Sequence, residues 1–378
     1  MASRPDPSPC RSNAAHPTAV QAATGTSLPV QPPPDTALRV QIAFAASRDT
    51  HPGKWLRGAT PDDAMARIGL AYSICRHAQQ AAAQRAMEAA GHASADPDGS
   101  RTVRRLRSEW LREHACNLML AWPARLGQRQ EPSLVRAIMQ AGDDPTAIQT
   151  TLSEVLQHTA LGMSPATFLA LDARGLEHWC DNAPTPSAAR FRAWRHGPAC
   201  SSELPMLPKL QDWTAGSAAM LAECMRNDHG FCMQPHWHGQ AVETGVWPRR
   251  HGHPLLRAWV QISGNDAAAR MLGRLVELAE AATGALQEPA LRTWTLGADT
   301  GMAAVETARG PLLHRVQLRD GHVEDYRVLA PTEWNFHAHG VLAQVAGCVE
   351  RRLADTAVQD WALALDPCAT CSVEVGDA

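Results

Sequence analysis

The chain has 378 residues, of which 45% are hydrophobic, and its 35 Lys and Arg residues against 38 Asp and Glu residues give a formal charge of -3. A chain of this length and composition can bury a substantial core, as a soluble globular protein does. The charge lacks the basic excess that nucleic acids or anionic membranes require of a partner, so we interpret the arginine-rich run at 100–113 as the solvated face of a helix.

The sequence gives no sign of a membrane span or a signal peptide. No stretch reaches the roughly 18 consecutive apolar residues of a span, and the N-terminal MASRPDPSPCRS has no apolar core. We therefore expect a cytoplasmic protein. In that compartment cysteines seldom form a disulfide framework, so those that matter should be metal ligands, redox thiols or small buried side chains.

The first 37 residues are rich in Pro, Ala, Ser and Thr and cannot bury enough apolar surface to offset the entropy of ordering. We predict a disordered tail at 1–37 and a single domain at 38–378. Alternating apolar side chains predict a strand at 38–45. Alanine-rich composition predicts a long helix at 64–90 that stops at Gly91.

Further helices are predicted at 103–122, 132–158, 265–283 and 339–364. Asn265 and Asp266 can cap the helix at 265–283, and Gly284 ends it. Its predicted apolar face consists of Met271, Leu272, Leu275, Val276 and Ala279.

A β-hairpin is predicted at 312–331, where two β-prone runs flank Asp320-Gly321, a common tight-turn pair. Together these elements predict a mainly α fold with a small antiparallel β part, of the α+β class.

Near its end the chain carries Cys368-Ala-Thr-Cys371 behind Asp366 and Pro367. A cytosolic C-x-x-C can be half of a zinc site, a redox pair or two buried thiols. The best region for a partner motif is 70–90, which contains a single cysteine, Cys75.

Five other blocks accompany the two cysteine segments. They are PDDA at 61–64, EHACNLML at 113–120, PHWHGQAVETGVWPR at 235–249, ETARGPLLH at 306–314 and APTEWNFHAHG at 330–340. In their order, these blocks and the cysteine segments resemble the large subunits of nickel-iron hydrogenases and their catalytically silent relatives of the HupK/HoxV type. The similarity runs from about residue 38 to the end and implies a hydrogenase large-subunit-like helical core with a β-hairpin.

In that family an early R-x-C-G-x-C and a late D-P-C-x-x-C supply four thiolates to a nickel-iron site whose iron carries cyanide and carbonyl. The resemblance maps the two iron-binding thiolates onto Cys75 and Cys371 and a nickel-only thiolate onto Cys368. Tyr72 stands in place of the fourth cysteine. A phenol with a pKa of about 10 is a poor substitute for a thiolate on a soft metal, so nickel is not expected. Cys75 is also expected to lie at the start of a helix, where the partial positive charge of the free amides favours a thiolate.

The resemblance also implies residues around the ligands of iron. It places Arg309 where the family's arginine faces the diatomic ligands, Thr332 on a hydroxyl residue beside Pro331, and His114 near the site. Bound cyanide is anionic at nitrogen, so its pocket needs hydrogen-bond donors and positive charge. The alternative for Arg309 is a surface ion pair with Glu306, and for His114 a satisfied core histidine.

Three departures from the family favour a scaffold over an enzyme. The region 54–63 lacks the glutamate that catalytic subunits use to move protons, and Tyr72 removes the fourth nickel thiolate. Large subunits are cleaved at a His or Arg three residues after the last cysteine, where this chain has Glu374, so no cleavage is expected there.

We therefore expect a non-catalytic maturation scaffold that transiently holds iron with cyanide and carbonyl, or an assembly intermediate, for transfer to the large subunit. Expected partners are hydrogenase assembly proteins and the large-subunit precursor, with no stable iron-sulfur small subunit, no nucleic acid and no membrane span. The alternatives are a divergent catalytic or hydrogen-sensing large subunit, and a structural zinc-binding protein that uses Cys368 and Cys371.

Overall fold

The structure is a computed structural model. It describes residues 27–30, 38–44, 52–72, 74–93, 99–197, 200–228, 230–348, 351–368 and 371–377. For 27–30, 38–44, 347–348, 351–355 and 371–377 the description covers the backbone alone.

Helices make up most of the described chain. They are α1 Gly53–Leu56, α2 Pro61–Ala71, α3 Arg76–Ala89, α4 Ser100–Cys116, α5 Trp122–Arg125, α6 Ser133–Ala141, α7 Pro145–Leu156, α8 Pro165–Leu169, α9 Ala173–Asn182, α10 Pro186–Arg195, α11 Ala215–Asn227, α12 Val246–Arg250, α13 Pro254–Ser263, α14 Ala267–Thr283, α15 Pro331–Asn335, α16 Val341–Cys348 and α17 Arg351–Leu365. Short π-helical turns at Asn117–Ala121 and Gln157–Leu161 extend α4 and α7, and Leu210–Asp212 is a 3-10 turn.

The strands form two sheets. They are β1 Ser27–Val30, β2 Leu38–Phe44, β3 Leu291–Gly297, β4 Thr300–Thr307, β5 Gly310–Arg319, β6 His322–Leu329 and β7 Cys371–Asp377. One sheet has the order β1-β2-β7 and the other is an antiparallel meander β3-β4-β5-β6. The mainly α fold with a small antiparallel part is confirmed.

The three-stranded sheet joins the two ends of the chain. In β2 and β7, Leu38 pairs with Asp377 and Phe44 with Cys371. The strand predicted at 38–45 is confirmed at 38–44. Within the predicted tail, β1 pairs with β2, so its four residues belong to a sheet, and the rest of 1–37 lies outside the described residues.

The β5–β6 hairpin is confirmed. Asp320 and Gly321 form its turn with φ values of 51° and 74°, the left-handed region that a two-residue hairpin turn requires at both positions. Strands β3 and β4 were missed, and they extend the hairpin into the meander.

The continuous helix predicted at 64–90 is wrong, because the chain breaks between α2 and α3. Tyr72 is extended at the end of α2, and Cys75 precedes α3 with φ -106° and ψ 44°. The first free amides of α3, those of His77 and Ala78, donate to the Glu109 carboxylate of α4 at 2.8 and 2.9 Å. A side chain distant in sequence therefore replaces a local cap, and it fixes Cys75 at the start of the second helix.

The helix predicted at 132–158 is also divided. Gly142 ends α6 with a φ of 61°, and Asp144 caps α7 ahead of Pro145 at its first position. These are ordinary stop and start signals, so the division was readable from the sequence. The segment predicted as one helix at 339–364 forms α16 and α17, and 349–350 between them lie outside the described residues.

Helix α14 runs through the main hydrophobic core. Asp266 caps it through the backbone amide of Ala269, and Gly284 ends it with a φ of 77°, as predicted. The apolar face was underestimated, since nearly the whole helix is buried, including Arg270, Arg274 and Glu277. Buried charges on a core helix need partners, and they find them around the candidate site.

Among the described residues no helix is both long and apolar enough to cross a membrane.

Candidate metal centre

Two predicted ligands, Cys75 and Cys368, come together from distant parts of the sequence. Cys75 precedes α3, and Cys368 follows α17 after a turn in which Asp366 has a φ of 56°. Both thiols are half-buried and lie near the guanidinium of Arg309. The structure therefore brings one early and one late thiol to the same positive side chain.

The third predicted thiol, Cys371, begins β7, but its side chain lies outside the described residues. Tyr72 packs beside Cys75 against the cluster of buried side chains between α3 and the four-stranded sheet. Its position is close to that of the buried Tyr326. An aromatic side chain thus lies beside Cys75, at the sequence position that the resemblance assigns to a fourth thiol.

The expectation that the helix start favours the thiolate of Cys75 is wrong for the metal-free chain. Burial, and after it the neighbouring Cys368, raises the pKa of the Cys75 thiol to about 12. The desolvation of a thiolate here exceeds the stabilisation from Arg309 and the helix amides. A metal that binds Cys75 must displace its proton.

Thr332 contacts Cys368 directly. Its hydroxyl donates to Cys368 Sγ at 3.0 Å, and the Cys368 backbone N–H donates to Thr332 Oγ1 at 3.2 Å. Pro331 is the first residue of α15 and is buried next to Thr332, so the backbone that carries Thr332 is fixed. The hydroxyl that the resemblance places in the ligand pocket is therefore in contact with a predicted ligand thiol.

Arg309 is buried and its alternative interpretation, a surface pair with Glu306, is wrong. Its Nη1 donates to the Glu113 carboxylate, and its Nε donates to the Asp366 carbonyl at 2.7 Å with Asp366 Oδ2 at 3.2 Å. Burial alone would lower the pKa of Arg309, but Asp366 and Glu113 raise it, so the guanidinium stays charged.

Glu306 pairs with Arg249, which also bridges to Glu277 on α14 at 2.8 Å. His114 joins this buried network. Arg274 Nη1 donates to His114 Nδ1 at 2.9 Å, so the hydrogen of the neutral ring lies on Nε2, which donates to Glu277 Oε2 at 2.5 Å. The indole N–H of Trp110 then donates to the same carboxylate oxygen at 3.0 Å. Burial lowers the pKa of His114 to about 4, and the imidazole is neutral.

Arg274 connects that network to the thiols. Its Nη1 lies 3.4 Å from Asp366 Oδ2, and its Nη2 donates to the Ala364 carbonyl at 2.9 Å. His114 is thus a buried core histidine, and Arg274 links it to Asp366.

Two carboxylates were missed, namely Glu109 and Glu113 on α4, and the pairing of Asp366 with Arg309 was not predicted although Asp366 was named with the late cysteines. The two glutamates belong to the run interpreted as a solvated face, and their i, i+4 spacing beside Trp110 was the available signal. Burial raises the pKa of Glu109 to about 7. The lack of glutamate at 54–63 therefore does not leave the surroundings of Cys75 without a carboxylate.

The described side chains supply part of the ligand set that a metal fragment would need. Within the described part of the chain no group of three or more His, Cys, Asp or Glu side chains is placed to hold a metal ion. Two thiols beside a buried arginine suit a fragment that needs two or three sulfurs and a donor for anionic ligands. Completing such a set would require Cys371.

Comparison with known proteins gives both sequence and structural relatives. The nickel-dependent hydrogenase family matches residues 241–374. The chain is 30% identical over 331 residues to the hydrogenase expression/formation protein HupV of Azotobacter chroococcum, covering 85% of this chain and 90% of the relative. It is 27% identical over 359 residues to the hydrogenase expression/formation protein HoxV of Cupriavidus necator, covering 89% and 93%.

Solved hydrogenases share the fold. The Ni-Fe-Se hydrogenase of D. vulgaris Hildenborough superposes with a TM-score of 0.52 at 14% identity, over 91% of this chain and 99% of that chain. The chain belongs to the HupK/HoxV family of hydrogenase expression/formation proteins, within the fold of nickel-iron hydrogenase large subunits.

Proposed function

We propose that this chain is an accessory protein of hydrogenase maturation that holds iron with its cyanide and carbonyl ligands, or an intermediate of that fragment, for transfer to a hydrogenase large subunit. The relatives that match along most of its length are named hydrogenase expression/formation proteins. The observation that best supports iron as the cargo is that Cys75 and Cys368 lie beside the buried guanidinium of Arg309.

Each part of this arrangement suits the cargo. Thiolates are soft ligands for iron, and in this proposal Cys75 and Cys371 bind it while Cys368 lies ready beside them. The guanidinium of Arg309, which Glu113 and Asp366 hold in place through Nη1 and Nε, can offer a charged donor to a cyanide nitrogen.

A holding role fits the site better than catalysis does. With Tyr72 near the position of the fourth thiol, a four-sulfur nickel site is not available, whereas iron needs fewer sulfurs. We therefore infer that the chain neither retains nickel nor oxidises hydrogen. Its partners in this account are assembly proteins and, transiently, a large-subunit precursor, with no stable iron-sulfur small subunit.

The test is metal analysis with infrared spectroscopy on protein purified without oxygen from a hydrogenase-producing host. We expect iron without nickel, and absorption bands of bound cyanide and carbonyl, which lie where polypeptide does not absorb. Zinc without such bands would contradict the cargo and favour a structural C-x-x-C. Hydrogen-dependent dye reduction above that of the metal-free protein would contradict the non-catalytic role.

A further inference from the structure

A chain of buried polar side chains connects the four-stranded sheet to Cys75. Tyr326 on β6 has its hydroxyl 2.7 Å from His314 Nδ1, and His314 Nε2 on β5 lies 2.8 Å from Gln79 Oε1. Gln79, on the first turn of α3, donates from Nε2 to Cys75 Sγ at 3.5 Å. Tyr326 and His314 are fully buried and Gln79 is 3% exposed, so bulk water does not compete for these bonds.

The positions of the hydrogens in this hydrogen-bonded series are coupled, because each group can donate only where its neighbour accepts. A sulfur that binds a metal carries no hydrogen and must accept from the Gln79 amide. Gln79 Oε1 then accepts from His314 Nε2–H, and His314 Nδ1 accepts from the Tyr326 hydroxyl. If Cys75 keeps its hydrogen, all of these bonds can run the other way with the amide turned over. Only one set of hydrogen-bond directions in this series therefore suits a metal-bound Cys75.

We propose that Gln79 is a positioning residue that holds an amide N–H on Cys75 Sγ and thereby sets how strongly this sulfur donates to bound iron. The inference rests on the proposed function and adds a residue to it. His314 and Tyr326 fix the amide orientation, and the close packing of α3 on the sheet keeps the distances constant. Hydrogen bonds to metal-bound sulfur withdraw electron density and tune the metal.

We expect the loss of this N–H to change the infrared bands of the ligands of iron. Without the N–H, Cys75 donates more electron density, iron returns more of it to carbonyl and cyanide, and their bands move to lower wavenumber. The thiolate also loses a stabilising contact, so the fragment should leave about 10-fold faster.

The experiment compares Gln79→Met with Gln80→Met, the same change at the exposed neighbouring residue. Infrared bands and the rate of iron loss are measured on loaded, oxygen-free protein, and thermal unfolding of the metal-free variants reports folding. We expect lower wavenumbers and faster loss in Gln79→Met, and wild-type behaviour in Gln80→Met. Tyr326→Phe, which keeps Gln79 but frees the tautomer of His314, should shift the bands in the same direction by less.

The outcomes separate this inference from the function beneath it. Wild-type band positions and retention in both Gln79→Met and Tyr326→Phe would overturn the role of Gln79 while leaving the iron cargo intact. A wild-type protein with no bound iron or bands would overturn both.

Discussion

At the scale of single residues, Arg309 supports both structure and the candidate site. It pairs with Glu113 and Asp366 in a region that excludes most water, and their other ion pairs are longer, Glu113 with Arg112 at 3.5 Å and Asp366 with Arg274 at 3.4 Å. The resemblance identified Arg309 but not these partners, because Glu113 is 196 residues away in the sequence. Such pairs depend on tertiary packing, which no local pattern encodes.

Replacing Arg309 should therefore cost stability even without metal. We expect Arg309→Leu to lower the free energy of unfolding by about 3–5 kcal/mol, the usual effect of leaving a buried charge unpaired. Urea unfolding of the metal-free chain measures it. Arg101→Leu, an exposed arginine on α4, is the control and should stay within about 0.5 kcal/mol of wild type. Equal stability in the two variants would contradict the buried pairing.

At the scale of elements, the position of Cys75 depends on how closely α3 lies on β4. Small side chains on α3, including Ala82, Ala83 and Ala86, permit the approach. A Cβ added at Gly301 on β4 would lie 2.1 Å from the Ala86 carbonyl oxygen and 2.6 Å from the Ala90 nitrogen, both backbone atoms. The helix that carries Cys75 cannot accommodate that atom without moving.

Gly301→Ala should therefore separate α3 from the sheet. We expect a loss of about 3 kcal/mol in the free energy of unfolding, the upper end of the usual cost of overpacking, because backbone cannot yield as a flexible side chain does. Gly252→Ala is the matched control, since nothing lies within 4 Å of its added Cβ. Denaturant unfolding with amide exchange along 76–89 would show the change. An undisturbed helix in Gly301→Ala would contradict the packing.

Whether the sequence predicts the end of a helix or strand depends on how far apart in the sequence the interacting residues lie. The β5–β6 turn and the ends of α14 were predicted because Asp320-Gly321, Asp266 and Gly284 act within a few residues. The break before α3 was not, because the capping carboxylate is Glu109, about thirty residues away. Local signals predict element ends, whereas tertiary caps decide where a uniform alanine-rich segment divides.

At the scale of the whole molecule, buried neutral histidines link stability to pH. Burial lowers the pKa of His114 to about 4, of His314 to about 3 and of His337 to about 4. Below the ordinary histidine pKa of about 6.5 the unfolded chain binds protons that the folded chain does not. Glu109, with its pKa raised to about 7, acts in the opposite direction and offsets one of the three.

Stability should therefore fall as the pH falls from about 6.5 toward 4, by about 1.4 kcal/mol per pH unit for each proton of net difference and roughly 3 kcal/mol per unit where that difference reaches two. Urea midpoints between pH 6.5 and 5 measure this slope. In His314→Gln the slope should shrink by about one proton, whereas His178→Gln, at an exposed position, should leave it unchanged. A midpoint that is constant or rises on acidification would contradict the neutral burial of these histidines.

The fold matches a solved hydrogenase over 91% of this chain, and the cargo proposal adds to this the thiols that the sequence resemblance assigns to the metal. The measurement that tests it most directly is iron content with cyanide and carbonyl bands in Cys75→Ser, Cys371→Ser and Cys368→Ser. Cys180→Ser, at a buried thiol of α9, serves as the control. The account predicts loss of iron and bands in the Cys75 and Cys371 variants, a smaller effect in Cys368→Ser and none in Cys180→Ser. Full iron and bands in Cys75→Ser, with loss only in Cys368→Ser, would contradict it.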